Sequence, residues 1–586
     1  MLRNMCVLLV SALALAVAGM MGAQTPTIPP PTRAQETVLS CAVEMPSPNP
    51  LLTLFQPGNK DAPRAITGGG QRPYLGFRSC LQCHNSGIHG QIELPGGVKL
   101  DLMKEQWVLY NEFPIWAKDD KHGQAYTVLL NERSKAMGKL LGVAEVHRDQ
   151  RCLACHTGFP LAEMPAKDGL VDADLVKNLD INLGVSCEGC HGPSGDLRTE
   201  NRLVLKGWKD PHLLQPTLPY DKTKPWRFLS PKEKADEYGF IDVRSPAPKT
   251  KLCVSCHIGD VEQGRIVTHE MYASGHPPLP GFEIETFVNQ LPRHWAEFST
   301  KADDVQDLFI KYTADPLYSE KSYKKKSLHR TRSLLAGAVV ASSEYLRYAG
   351  QLADETIKSP VKRDTWPELA AFDCYACHHD LKSPSWRQMR KPPVGTPGRP
   401  ALQEWPFALA KIALKFDGVS PTEVDAKLAD VHKALAALPF STTKDFAKPA
   451  QTAAAWLYAK GRDLEKKPVT REQGVAILKE IAVVASSEVL DYDSARQLVW
   501  AFQVIEGDLK SDYPEAKKIA AILGPLGKES FHLDLRAHRK GATAVPGDKQ
   551  ERKTEELDLE TVLPIMSRYE PARFQERFKE IAALLK

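Results

Sequence analysis

Net charge is nearly absent from this chain of 586 residues, where 76 lysines and arginines stand against 72 aspartates and glutamates, a formal +4. That balance excludes the strongly basic faces that hold nucleic acid, and strong attraction to an acidic membrane surface. Long apolar runs are also scarce. Beyond the N-terminus the best candidate is Leu334 to Ala341, eight residues, against the roughly 20 that a membrane helix needs. No transmembrane span is expected in the mature chain. Few stretches alternate apolar and polar residues, so strands are expected to be few and the fold mainly α.

Cysteine is confined to one pattern. Ten of the twelve cysteines lie in five Cys-x-x-Cys-His units: Cys80/Cys83/His84, Cys152/Cys155/His156, Cys187/Cys190/His191, Cys253/Cys256/His257 and Cys374/Cys377/His378. This is the attachment pattern of c-type haem. Cysteines at i and i+3 rise from one turn to form thioethers with the two vinyl groups, and the next histidine binds iron as the proximal ligand. Histidine is 17 of 586 residues, so one should follow a given Cys-x-x-Cys by chance only about 3% of the time. Zinc knuckles use similar pairs but need two further ligands per site, and no second cysteine pair is left to supply them. Five covalently attached haems c are therefore expected, with Cys80, Cys83, Cys152, Cys155, Cys187, Cys190, Cys253, Cys256, Cys374 and Cys377 as the thioether residues.

Residues 1–23 read as a secretory signal, with Arg3 ahead of the apolar run Val7 to Val17 and small residues after it. Cleavage at Ala16-x-Ala18 or around Ala23 gives an exported, periplasmic protein; an uncleaved anchor is the alternative. Cys6 leaves with the signal, and Cys41 reads as a free thiol. Residues 24–70, rich in Pro and Gly, read as a tether. Residues 71–395 hold the five units with little regular structure around stacked haems. Lys391 to Pro400 marks a boundary by composition, and 396–586 read as a helical bundle. Ser420-Pro421-Thr-Glu423 and Thr470-Arg-Glu-Gln473 are helix starts. Val424, Leu428, Val431, Leu435 and Leu438 form an apolar stripe, as do Phe574, Phe578, Ile581 and Leu585. Residues 333–358 read as one helix, and Leu129, Leu130, Met137, Leu140 and Leu141 recur at near-helical intervals. The basic run Lys321, Lys324, Lys325, Lys326, His329, Arg330 and Arg332 reads first as a solvated face, and second as a surface for an acidic partner.

Twelve histidines remain to supply distal ligands. His122, His269 and His276 are the preferred candidates, the last two because seven residues place them on one helical face before Pro277. His212 and His294 come next, then His89, His147 and His329. His379 cannot reach the iron of His378 from the far side, and His432, His532 and His538 read as structural.

Trp116-x5-His122-x2-Ala125, Cys152-Leu-Ala-Cys155-His156, Gly184-Val-Ser-Cys187-Glu-Gly-Cys190-His191-Gly-Pro and Cys253-Val-Ser-Cys256-His257 resemble the cytochrome c-554 family, within the superfamily of hydroxylamine oxidoreductase and pentahaem nitrite reductase. The resemblance covers about residues 75–280. It implies a mostly helical fold, stacked haems with mainly bis-His ligation, His122 as a distal ligand and a five-coordinate second haem. The fifth unit and the last 190 residues lie outside the pattern, no histidine follows Gly195 before His212, and no unit ends in lysine as in the nitrite reductases. The chain then reads as an exported pentahaem electron carrier serving redox partner proteins. Assembly into a larger respiratory complex would run through residues 396–586. The alternative is a haem enzyme acting on a small nitrogen or sulfur compound at one open haem, held by His156.

Overall fold

Among the described residues helices carry almost all the regular structure, 63% against 2% strand, as the scarcity of alternating stretches implies. The computed structural model describes most of residues 74–195, 226–378 with short breaks, 383, 389–390, 401–437, 443–526 and 569–586. The signal and the tether lie outside the described residues.

The first described strands form a hairpin, β1 (Gln91–Leu94) against β2 (Val98–Asp101), Gln91 facing Asp101. Three helices follow, α1 (Glu112–Asp119), α2 (Glu132–Leu140) and α3 (Gln150–His156). After the short hairpin β3 (Ala166–Lys167) and β4 (Leu170–Val171) come α4 (Ala173–Asn178), α5 (Cys187–His191) and α6 (Pro231–Tyr238). Next are α7 (Pro246–His257), α8 (His269–Ala273), α9 (Ile284–Asn289) and α10 (Asp303–Tyr312). These helices are short because each is stopped locally: Ser230 and Glu233 close a capping box on α6, and Gly239 ends it in a left-handed turn.

The spine is α11 (His329–Ala353), 25 residues long and buried along nearly its whole length. It starts earlier and stops earlier than the expected 333–358. The Asp354 carboxylate turns back to accept from the amide and hydroxyl of Thr356, which ends the helix at Ala353. Around it pack α7, α9, α12 (Trp405–Phe416), α14 (Thr443–Leu464) and α16 (Tyr492–Leu509). A helix can be buried on every side only if its neighbours approach closely. A β-carbon on Gly461 of α14 would lie 2.6 Å from Val340 Cγ2, so that crossing needs glycine. Two inward hydroxyls reach carbonyls, Ser343 donating to Ala454 O and Tyr345 to Ala371 O.

The outer helices are α13 (Pro421–Ala436), α15 (Arg471–Ser487), α17 (Ala516–Pro525) and α18 (Pro571–Leu584). They bury the expected stripes: Val424, Leu428, Val431 and Leu435 on α13, where Leu438 lies outside the described residues, and Phe574, Phe578 and Ile581 on α18 with Leu585 just after it. One apolar core runs from Leu153 of α3 and Val254 of α7 through α11 to Phe578 of α18. It includes residues from both sides of the stretch 391–400, which lies outside the described residues.

Two sequence patterns fold differently. The apolar series 129–141 does not lie on one helix: Asn131 caps α2 by accepting from the Ser134 amide, so the register restarts there. Leu129 is buried, but Leu130 and Leu140 are 45% and 71% exposed. The basic run also divides. Lys321, Lys324, Lys325 and Lys326 are exposed, whereas Arg332 is buried and donates to Ser322 O, and Arg330 pairs with Glu285.

Candidate functional site

The Cys-x-x-Cys-His units lie on helical turns. Cys152, Cys155 and His156 are on α3, whose first turn is fixed by Asp149 accepting from the Arg151 amide and side chain. Cys187, Cys190 and His191 make up α5, and Cys253, Cys256 and His257 end α7. Cys374 opens a 3-10 turn capped by Asp373, and the His378 amide donates to Cys374 O. Cys80 and His84 are helical, while Cys83 lies outside the described residues. One turn thus brings both thiols and the imidazole of a unit to the same side, as double thioether attachment requires.

Tertiary packing then interleaves the units. The Cys187 thiol hydrogen-bonds that of Cys80, and Cys155 bonds Cys256, so the third unit meets the first and the fourth meets the second. Cys190 lies close enough to Cys253 and Cys256 for their charges to interact, which joins the two pairs. Buried side chains lock this arrangement. The Glu188 carboxylate accepts from the amides of Leu75 and Gly76, ahead of the first unit, and from the amide and hydroxyl of Ser194. Arg265 donates to Ala154 O and Gly158 O in the second unit and to the Ser255 hydroxyl in the fourth.

Five imidazoles are held in a common way. Nδ1 of His84 donates to Glu112 (2.9 Å), of His122 to Asp120 (3.0 Å), of His156 to Ala125 O (2.5 Å), of His276 to Pro277 O (2.7 Å) and of His294 to Pro292 O (3.3 Å). Every partner can only accept, so each Nδ1 carries the proton and Nε2 is the lone-pair nitrogen. This outer arrangement orients a metal-binding imidazole. Burial pushes His257 down to about 3, with the nearby His122 adding to it; burial pushes His191 and His276 down to about 4, helped by His294 and His156 respectively. These rings are neutral at pH 7, the form that ligates. Burial opposes charge on His84 and His122 too, but the facing Glu112 and Asp120 carboxylates outweigh it and raise both.

Two rings bound through nitrogen to one metal at about 2 Å, with about 1 Å more from nitrogen to ring centre on each side, have centroids about 6 Å apart. His122 and His257 lie 6.4 Å apart, edge to face, and His269 and His378 lie 6.2 Å apart. The residues present therefore fit haem c: paired thiols, neutral imidazoles in the second, third and fourth units, and two pairs of rings at the spacing that axial ligation would give. His122 owes its place to the glycine motif. The Val185 amide donates to His122 O, Trp116 Nε1 donates to Val185 O, and a β-carbon on Gly184 (φ +78°) would stand 2.4 Å from His122 O.

His269 and His276 do not share a helical face. α8 ends at Ala273, and the His276 amide turns back to Met271 O, so the two rings part: His269 goes to the fifth unit, His276 to His156 of the second. His276 beside His156 bears on the open second haem that the resemblance implies, since it brings an imidazole there. His122 lies on the 3-10 turn Lys121–Gln124 between helices. His294 sits near His84 and His191, a placement that no local pattern signals. His147 turns Nε2 toward Glu145, and His329 stacks on Tyr323. His89, His212, His379, His532 and His538 lie outside the described residues. Among the described residues no three His, Cys, Asp or Glu side chains converge as a zinc site requires. No helix there is long and apolar enough to cross a membrane.

The family model described as cytochrome c554 and c-prime matches residues 110–192, from the start of α1 to the end of α5. No curated protein and no solved structure matches the chain. The family match supports a c-type cytochrome with covalently bound haem c and a part in electron transfer.

Proposed function

We propose that this is an exported pentahaem cytochrome that passes electrons through closely spaced, mostly bis-His haems between redox partner proteins. The observation that carries the reading is the interleaving of the first four units, whose thiols touch across unit boundaries. When bound, haem c supplies one-electron exchange between ferric and ferrous iron. The chain's own residues do the rest. His84, His156, His191, His257 and His378 would hold haem c from the proximal side, and His122, His269 and His276 would serve as distal ligands. Carboxylates and carbonyls fix the ring orientations, and Glu188 and Arg265 set the spacing between units. Residues 1–23 direct export to the periplasm. The helices after 396 form the surface for assembly into a larger respiratory complex.

The test is electron paramagnetic resonance on the oxidised mature protein, with haem content by pyridine haemochrome. Five haems per chain with low-spin ferric signals are expected. Fewer than five haems would overturn the pentahaem reading. A high-spin signal that shifts with nitric oxide or hydroxylamine would replace the carrier by an enzyme.

A further inference from the structure

The fifth unit differs from the others. It lies outside the matched stretch 110–192, and Cys374, Cys377 and His378 are exposed where the described cysteines of the other units are half-buried. His379, beside its proximal ligand, cannot reach the same iron from the far side.

We infer that His269 opposes His378 across the fifth haem, making that haem six-coordinate with bis-His ligation. Three observations meet here. The ring centroids are 6.2 Å apart, close to the roughly 6 Å that two imidazoles on one metal require. His269 opens α8, which packs against the Leu369–Ala371 turn that leads into the fifth unit. A single carboxylate oxygen, Glu368 Oε1, accepts from the His269 amide (2.7 Å) and the Ala370 amide (3.1 Å), so one side chain ties the segment bearing His269 to the segment bearing His378. Glu368 is a positioning residue. Thr268 completes the seat by capping α8 through the Met271 amide. Without this pairing α8 would be five residues of helix with an exposed histidine at its first position and no reason for the tie to Glu368. The inference rests on the pentahaem reading and extends it to one named axial pair.

The experiment uses the full-length haem-loaded protein, and haem content is measured first. A wild-type protein with fewer than five haems fails the functional proposal, not this pairing. In a His269→Ala variant that keeps all its haem, one fifth of the low-spin intensity should be lost and replaced by a high-spin signal. Unchanged low-spin intensity would overturn the pairing. His269→Met retains a ligand and keeps the fold demands small; it should raise the midpoint potential of one haem, because thioether ligation favours the ferrous state. Unaltered potentials would likewise overturn it. A Cys374→Ala/Cys377→Ala variant lacks the fifth haem, and adding His269→Ala to it should change nothing further. A second haem turning high-spin on that background would show that His269 serves another site.

Discussion

Between Glu112 and Tyr312 no described helix exceeds 12 residues, whereas α11 and the helices after it run from 10 to 25. The earlier region is joined by polar devices: Glu188 on backbone amides, Arg265 on carbonyls, Asp242 between Lys234 and Arg244. The later region is joined by apolar stripes, with Phe502, Phe578, Ile481 and Leu478 fully buried. A region built around bound groups leaves much of its interior to them and must aim its side chains at the sites. The later region, which holds only the fifth unit, fills its own core, and long capped helices do this efficiently.

The sharpest way to break this comparison is to produce the chain without haem attachment. Limited proteolysis should then cut throughout α1 to α8, while circular dichroism should still report the helices α12 to α18. Equal protection of both regions would remove the distinction. Next in size, Phe502→Ala should cost about 3–5 kcal/mol in denaturant unfolding by opening a cavity in the later core, with no change in the haem spectrum.

Asp242→Asn should cost roughly 3 kcal/mol, because it leaves the cations of Lys234 and Arg244 without their counter-charge. Unlike Phe502→Ala, it should disturb the third unit: the Ile241 amide donates to His191 O, and Phe240 stacks on the His191 ring. Burial alone would raise the Asp242 carboxyl, but Arg244 and Lys234 outweigh it and hold it well below the usual carboxylate range. A depressed native value means that this stability is present above the ordinary value near ~4 and is lost as pH falls below it. Acid unfolding of wild type and Asp242→Asn should therefore converge at low pH. Parallel curves would show that Asp242 is not the group responsible.

Gly184→Ala should cost about 1–3 kcal/mol in strain and shift the absorbance or potential of the haem that His122 would ligate, leaving the other haems unchanged. Smallest is Thr470→Ala, which removes one half of the capping box on α15 and should cost about 1 kcal/mol, seen only in the unfolding of the later region.

Local features were readable directly. The cap at Thr470, the stripes on α13 and α18 and the mainly helical character depend on residues within a turn or two of one another. The failures have physical causes as well. Counting a period through 129–141 ignored the cap at Asn131, and counting seven residues from His269 to His276 assumed a helix that ends at Ala273. Glu368, Arg265 and His294 carry no pattern, because each acts on groups far away in the chain.

Where haem can be attached is set locally, since two thiols and an imidazole on one turn are a matter of three to five residues. Which histidine faces which is set by the packing of distant segments. That choice depends on how α3, α5 and α7 interleave and on where Gly184 lets the chain approach His122. It also depends on the tie at Glu368, which turns His269 away from its neighbour His276. Axial partners are chosen across space by packing, and packing is a property of the whole chain.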